Sequence, residues 1–216
     1  MAVKNPKFRR VHIPSRKQTF FQKVGGFIAR PADTFKALKD ESLGKAFGYY
    51  ALINLISSVI LGVLFGLALT LISNLLLATP EYAVLAEFLS RISMAILIPV
   101  SIVVIYALNW IGLLLSGLII HLGVLAFARP HKRLSETYKV IAYGSTPGIF
   151  NFISIIPYMG ELLSSGLSIW SMVLNVIGLK EYHETSLGRA IAALLIISFA
   201  FAILLVTLLV WIALTL

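Results

Sequence analysis

The sequence predicts an all-α, polytopic membrane protein: a bundle of five transmembrane helices preceded by amphipathic helices on the cytoplasmic surface. Of its 216 residues 59% are hydrophobic and only 12% are charged, and the mean hydropathy is +0.94. A water-soluble domain of this size needs more charge on its surface. Long runs without any charged residue alternate with basic segments, which is the pattern of helices that cross a bilayer. Cysteine is absent, which excludes disulfides and thiolate metal sites.

Five apolar runs give the predicted spans. Three of them are unambiguous by length and contain no Lys, Arg, Asp or Glu: 46–78, 92–128 and 190–216. Two shorter runs, 139–156 and 161–179, are separated by a turn signal that contains Pro157 and Gly160. As helices, these two would measure roughly 27 to 29 Å, just enough to cross the hydrocarbon core.

The basic residues predict the orientation. Seventeen of the 18 Lys and Arg residues fall in the N-terminal 45 residues or in the loops at 129–139 and 180–189, and only Arg91 falls on the other side. Positive charge accumulates on the cytoplasmic side, so the N-terminus is expected there and the C-terminus outside. If the chain is prokaryotic, the expected membrane is the plasma membrane. The charges do not distinguish two full crossings by 139–179 from a re-entrant hairpin.

The chain divides into a flexible basic arm at 1–19, cytoplasmic interfacial helices at 20–45 and the five-helix domain at 46–216. Apolar residues at helical spacing predict a face that anchors the helices of 20–45 in the membrane surface: Phe20, Phe21, Val24, Phe27, Ile28, Phe35 and Leu38. The cations are expected to contact anionic lipid head groups: Arg9, Arg10, Arg16, Lys17, Lys23, Lys36, Lys39, Lys45, Arg133, Lys139 and Arg189. Nucleic acid is not an expected partner, because the basic residues are not interleaved with aromatic ones.

The segment 138–160 is polar for a spanning helix. Pro147 removes a backbone donor and frees the carbonyl of Tyr143, which predicts a kink. The residues expected to form this kink or to let helices approach closely are Gly144, Pro147, Gly148, Asn151, Gly62 and Gly66. We therefore predict a short, kinked third helix that is packed inside the bundle and shielded from lipid. Small-residue faces of this kind also suit a homo-oligomer.

No constellation for catalysis, metal binding or a cofactor is predicted. The four histidines lack a zinc-binding spacing, and no serine is singled out as a nucleophile. A second hypothesis is a channel or carrier for a small solute, whose polar path would be lined by Asn54, Asn109, Asn151 and Asn175. The same asparagines are also typical of hydrogen bonds between membrane helices.

Several segments together resemble the Yip domain family, five-span membrane proteins named for their interaction with Ypt/Rab GTPases. The matching segments are 27–38 (FIARPADTFKAL), Tyr49 and Tyr50, 137–147 (TYKVIAYGSTP), Ile169 and Trp170, and 177–190 (IGLKEYHETSLGRA). The resemblance implies a helical bundle with a cytoplasmic N-terminus and without catalytic activity. It also implies a role in membrane organisation or protein sorting, through contacts with lipid and with membrane or cytoplasmic proteins. Eukaryotic members carry a longer cytosolic region with an Asp-Leu-Tyr-Gly-Pro element, so this chain is more similar to the short prokaryotic branch.

Overall fold

The computed structural model describes residues 18–76, 80–82, 84, 87, 93–156 and 159–215, and these residues include no β-strand. The predicted basic arm lies almost entirely outside them, as do Arg91 and four of the predicted head-group cations: Arg9, Arg10, Arg16 and Lys17. The helices discussed below are α1 (Phe20–Ala29), α2 (Pro31–Leu38), α3 (Leu43–Leu76), α4 (Met94–Phe127), α5 (Leu134–Gly144), α6 (Gly160–His183) and α7 (Leu187–Thr215).

Local sequence explains how α1 and α2 begin and meet. Thr19 caps α1 in a capping box with Gln22, which satisfies backbone donors at both positions. Pro31 stands in the first turn of α2, where its missing N–H costs nothing. The corner between them is tight, because a Cβ at Gly26 would come within 2.6 Å of the Thr34 hydroxyl.

Four helices among the described residues are long and apolar enough to cross a membrane: α3, α4, α6 and α7. They contain the predicted runs at 46–78, 92–128, 161–179 and 190–216, apart from residues at the ends of three of them. The remaining predicted span, 139–156, needs correction, because it is not one helix. α5 ends at Gly144, and a 3₁₀ segment follows at Thr146–Ile155. Pro147 explains the change, since it lacks the N–H that an α-helix would use at this position.

The chain from α5 through the 3₁₀ segment runs antiparallel to α6 along the whole length of that helix. Thr137 lies next to His183, Val140 next to Gly178, and Gly144 next to Asn175. At the far end, Gly160 lies against the carbonyl of Ser154. The 11 residues of α5 and the 10 of the 3₁₀ segment cover roughly 36 Å, which is about the length of the 24-residue α6.

The two ends of the bundle differ in packing. We call the capped end the part formed by α1, α2, the first turns of α3, the α4–α5 connection, α5 and the last turns of α6. The open end consists of the last turns of α3, the first turns of α4 and the last turns of α7. Most of the buried hydrophobic core lies at the capped end, whereas every described α7 residue from Phe199 onward is exposed.

The prediction that the kinked segment is shielded from lipid holds for only part of it. Residues 139–144 are buried, and Tyr143 is completely inaccessible. Further along, Phe152 and Ile156 are 44% and 48% exposed. The 3₁₀ segment contacts α3 and α6 on one side and leaves these apolar side chains on the outside of the bundle.

Candidate functional site at the capped end

An aromatic cluster joins five helices at the capped end. Phe27 of α1 lies 4.8 Å from Phe35 of α2 and 5.5 Å from Tyr143 of α5, measured between ring centroids. Tyr49 of α3 also packs on Tyr143, and Tyr182 of α6 packs on Phe35. Phe27, Phe35, Tyr143 and Tyr182 are fully buried. Rings at these distances add about 0.5–1.5 kcal/mol per pair to the burial of their area, so the cluster fixes α1 and α2 onto the bundle.

A buried ion pair lies beside this cluster. The Lys23 ammonium donates to Glu41 Oε2 at 2.6 Å, and the Tyr143 hydroxyl donates to the same oxygen at 2.5 Å. Lys23 also lies over the rings of Tyr143 and Tyr49. Burial by itself raises the pKa of the Glu41 carboxyl, but the hydrogen bonds from Lys23 and Tyr143 outweigh it and hold that pKa below its usual value. Glu41 therefore stays ionised and, from the connection between α2 and α3, links α1 to α5.

Lys139 forms a second buried arrangement. Its ammonium lies 3.0 Å from Glu136 Oε1, donates to the carbonyl oxygen of Lys39 at 3.1 Å and lies over the ring of Tyr182. Lys23 and Lys139 are only 7% and 6% exposed. The prediction that these two cations contact lipid head groups is therefore corrected, because both ammonium groups are bonded inside the protein.

A polar chain of two histidines and a threonine connects α4, α5 and α6. The Lys132 backbone N–H donates to Nδ1 of His183 at 3.1 Å, so a neutral His183 carries its proton on Nε2 and donates it to the Thr137 hydroxyl, also at 3.1 Å. The Thr137 hydroxyl is then free to donate to His121 Nδ1 at 2.9 Å. Thr137 and His183 are completely buried. This chain satisfies their polar groups and positions the α4–α5 connection on α6.

A polar pocket of about 610 Å³ opens beside these networks. Its wall comes from the end of α2, the α4–α5 connection, α5 and α6, and the lining residues are Lys39, Asp40, His131, Lys132, Arg133, Glu136 and Tyr182. Glu184 bridges two of the basic residues: its carboxylate oxygens lie 2.7 Å from Lys39 Nζ and 3.2 Å from Lys132 Nζ. Hydrogen bonds from Lys39 and Lys132 hold the pKa of the Glu184 carboxyl below its usual value.

The predicted apolar anchors divide into two groups. Val24, Phe27, Phe35 and Leu38 are buried against other helices, so the prediction that they insert into lipid is corrected for these four. Phe20 is partly buried against Tyr49. Phe21 and Ile28 are 80% and 50% exposed and lie seven residues apart, on one side of α1. Both groups are apolar residues at helical spacing, so the sequence pattern does not separate them. They differ in the structure because α1 and α2 have one face on the protein and another outside it.

The remaining predicted cations are accessible. Lys36, Lys45, Arg133 and Arg189 are exposed, and Lys39 is partly exposed. Lys36 lies 3.9 Å from Glu181, and Arg189 donates to the carbonyl oxygen of Arg129 at 3.0 Å. Sequence reasoning did not single out Glu41, Glu184, Tyr143, Tyr182 or the Thr137–His183 pair. Their partners are far away along the chain, so neither spacing nor periodicity indicates them.

The four asparagines are not collected into one group. Asn109 Nδ2 donates to Asn54 Oδ1 at 2.8 Å, and Asn54 Nδ2 donates to the Tyr106 carbonyl oxygen at 3.1 Å, so this pair joins α3 to α4. Asn175 instead lies against Gly144, and Asn151 belongs to the 3₁₀ segment. The Asn54–Asn109 geometry is that of a hydrogen bond between membrane helices.

The predicted packing glycines lie at close contacts. A Cβ at Gly62 would come within 2.8 Å of the Ile102 backbone, and one at Gly66 within 2.7 Å of the Ile98 side chain. A Cβ at Gly144 would meet Asn175 Oδ1 at 2.1 Å, whereas Gly148 has ordinary contacts near 3.9 Å. α3 and α4, and likewise α5 and α6, can therefore approach only because these positions lack a side chain.

Comparison with known proteins identifies a family. A family model described as the Yip1 domain matches residues 25–210, from the middle of α1 almost to the end of α7. The resemblance that the sequence segments indicate is thereby confirmed. No curated protein and no solved structure matches the chain.

Proposed function

Because the chain belongs to the Yip1 domain family, and is an integral membrane protein with several helices that can span a bilayer, we propose that it is a non-enzymatic scaffold that organises membrane components. In this proposal it acts through protein and lipid contacts at the capped end. The observation that carries the proposal is the pair Phe21 and Ile28, which stay exposed on a helix whose opposite face is locked into the aromatic cluster. A rigid surface with large exposed apolar side chains suits docking on a membrane or on a partner.

The proposed topology has five crossings, with the capped end in the cytoplasm and the C-terminus outside. The antiparallel path of α5 and the 3₁₀ segment along α6 supports it, because the combined segment is as long as the helix beside it. The cations at the capped end agree with a cytoplasmic position. One carbonyl of the 3₁₀ segment is bonded from α3, where the Ser57 hydroxyl donates to Gly148 O at 2.8 Å.

The absence of cysteine allows a direct test of topology, because each introduced cysteine is the only thiol. Met159 stands between the 3₁₀ segment and α6 and is 52% exposed. We expect Met159→Cys to react with a membrane-impermeant maleimide from outside intact cells, and Arg133→Cys to react only after the cells are opened. A Met159→Cys protein that also requires opened cells would show a re-entrant hairpin instead of two crossings.

The surface role of α1 is tested with a fluorophore attached to Phe21→Cys or Ile28→Cys in the full chain, reconstituted in nanodiscs. If α1 lies on the bilayer, brominated lipids quench both probes, and a probe at Lys132→Cys in the polar pocket serves as the unquenched control. Unquenched Phe21 and Ile28 probes would contradict lipid contact and leave a protein as the partner of this face. Mass spectrometry of nanodiscs from native membranes, with Phe21→Ser compared with Phe201→Ser, then shows whether a stoichiometric protein depends on it.

A further inference from the structure

The polar pocket at the capped end has an excess of basic lining residues. Four of its side chains are basic, counting His131, and two are acidic. Of the acids, Glu136 is already engaged by Lys139 at 3.0 Å, while Asp40 stands at one end of the wall. Arg133 is exposed and has no ion pair within the described part of the chain. An Arg beside two Lys residues is a set of donors that suits a phosphate group.

The Glu184 carboxylate already binds two of these donors, in the way that the oxygens of a phosphate would. Its two carboxylate oxygens each contact a different ammonium group, that of Lys39 and that of Lys132. Glu184 is 51% exposed, and its partners are 33% and 41% exposed. Ion pairs with this much exposure contribute little to stability, so an incoming anion can displace the carboxylate at little cost.

The Tyr182 hydroxyl is a second, independent observation that points to a ligand. The residue contributes to the pocket wall and is completely buried, yet its hydroxyl has no hydrogen-bond partner among the described residues. A buried hydroxyl without a hydrogen-bond partner is destabilising, and native structures contain few of them. A ligand oxygen that reached this hydroxyl from the pocket would remove that cost.

The geometry points to a phosphate-binding site formed by Lys39, Lys132, Arg133 and the Tyr182 hydroxyl, with Glu184 as an internal carboxylate that gives way when the ligand enters. The ligand is a phosphate monoester, carried either by a soluble molecule or by a lipid head group. Asp40 disfavours a second anionic group at its end of the pocket. A ligand with one phosphate group is therefore expected to bind better than a ligand with two. This site does not depend on the contact of α1 with lipid or with a partner protein.

The test uses the full chain in nanodiscs at pH 7.5, with two sources of phosphate. In one arm, glycerol 3-phosphate is titrated onto protein in phosphatidylcholine discs and followed by ³¹P NMR. In the other, the discs contain phosphatidic acid, and lipid retention is followed by native mass spectrometry. Saturable binding in the first arm identifies a soluble ligand, and saturable binding only in the second identifies a head group. The proposal is overturned if neither arm saturates.

Variants then locate the binding. Lys132→Gln and Arg133→Gln should each weaken it about tenfold, because each removes a charged hydrogen-bond donor. Tyr182→Phe should weaken it about threefold without lowering the melting temperature of the free protein, since the lost hydroxyl has no partner there. Glu184→Gln should tighten it about threefold, because it removes the competing charge.

Two matched controls separate the pocket from general surface charge. Glu181→Gln makes the same charge change as Glu184→Gln one turn away on α6, and Arg189→Gln makes the same change as Arg133→Gln on an exposed residue of α7. Each should alter binding less than twofold. Equal effects of the control and pocket variants, or unchanged binding in both Lys132→Gln and Arg133→Gln, would show that no such site exists.

Discussion

The capped end and the open end of the bundle use different interactions. At the capped end, buried ion pairs, shared hydrogen bonds and aromatic contacts link five helices, as in the core of a water-soluble domain. At the open end, apolar side chains of α3, α4 and α7 face outward, and close contact depends on glycine. Lipid is as apolar as leucine, so packing within the bilayer gains no hydrophobic free energy and relies on shape. The hydrogen bonds and ion pairs are instead concentrated at the capped end, where they fix which side chains meet.

The largest expected effect contrasts one phenylalanine from each end. Phe27 is completely buried in the aromatic cluster, and Phe199 is 68% exposed on α7. Phe27→Ala should lower the free energy of unfolding by about 3–5 kcal/mol, because it leaves a cavity between the rings of Phe35, Tyr49 and Tyr143. Phe199→Ala should change it by less than about 0.5 kcal/mol. Both are measured by equilibrium unfolding in detergent micelles. A comparable loss in Phe199→Ala would show that the open end packs against something, for example a second copy of the chain.

The next effect concerns the charge of Glu41. Glu41→Gln should cost about 2–4 kcal/mol at pH 7, because it leaves the Lys23 ammonium buried without its counter-charge. The folded pKa of Glu41 is below its unfolded value, so this carboxylate stabilises the protein above the unfolded pKa and loses that effect as pH falls through the folded pKa. The difference between wild type and Glu41→Gln should therefore shrink as the solution becomes acidic.

Thermal unfolding of both proteins between pH 7 and pH 3 measures this dependence. Glu161→Gln is the matched control, because Glu161 is exposed at the start of α6. The control should follow the wild-type curve throughout. A gap between wild type and Glu41→Gln that stays constant with pH would mean that the ionised carboxylate does not stabilise the capped end.

A smaller effect tests the helix contact nearer the open end. The Cβ of Gly62→Ala would come within 2.8 Å of the Ile102 backbone, so α3 and α4 must separate, at a cost of about 1–3 kcal/mol. Gly112→Ala on α4 meets nothing within 4 Å and should be neutral or stabilise by about 0.5–1 kcal/mol. Unfolding in micelles measures both. Similar values for the two variants would mean that α3 and α4 are not in close contact.

The smallest effect concerns polar groups in the middle of the bundle. Asn109→Leu removes the hydrogen bond to Asn54 and should cost about 0.6–1.7 kcal/mol, the range found for such bonds between membrane helices. Thr207→Val on α7 is the control, because Thr207 bonds to the Ile203 carbonyl of its own helix and to no other described residue. Liposome flux of small neutral solutes should be the same for wild type and Asn109→Leu. A flux present in wild type and lost in the variant would favour a channel or carrier.

The sequence by itself determined that the protein is helical, where the long apolar helices lie and which family the chain belongs to. Hydropathy, length and the order of short motifs are properties of neighbouring residues, so they can be read along the chain. The kink near Pro147 was predictable for the same reason, since proline acts on its own turn. The 3₁₀ segment that follows the kink was not predictable, because it depends on groups that α3 supplies, such as the Ser57 hydroxyl.

Only the tertiary structure decided which polar and apolar residues are buried and bonded at the capped end. Phe21 and Phe27 belong to one helical pattern, yet one is exposed and the other is completely buried. Lys23 is 18 residues from Glu41 in the sequence, and Tyr143 is 102 residues away, although both donate to the same carboxylate oxygen. Contacts between such distant residues depend on how the helices pack, and a charge or an aromatic ring looks the same in the sequence whether lipid, water or protein surrounds it.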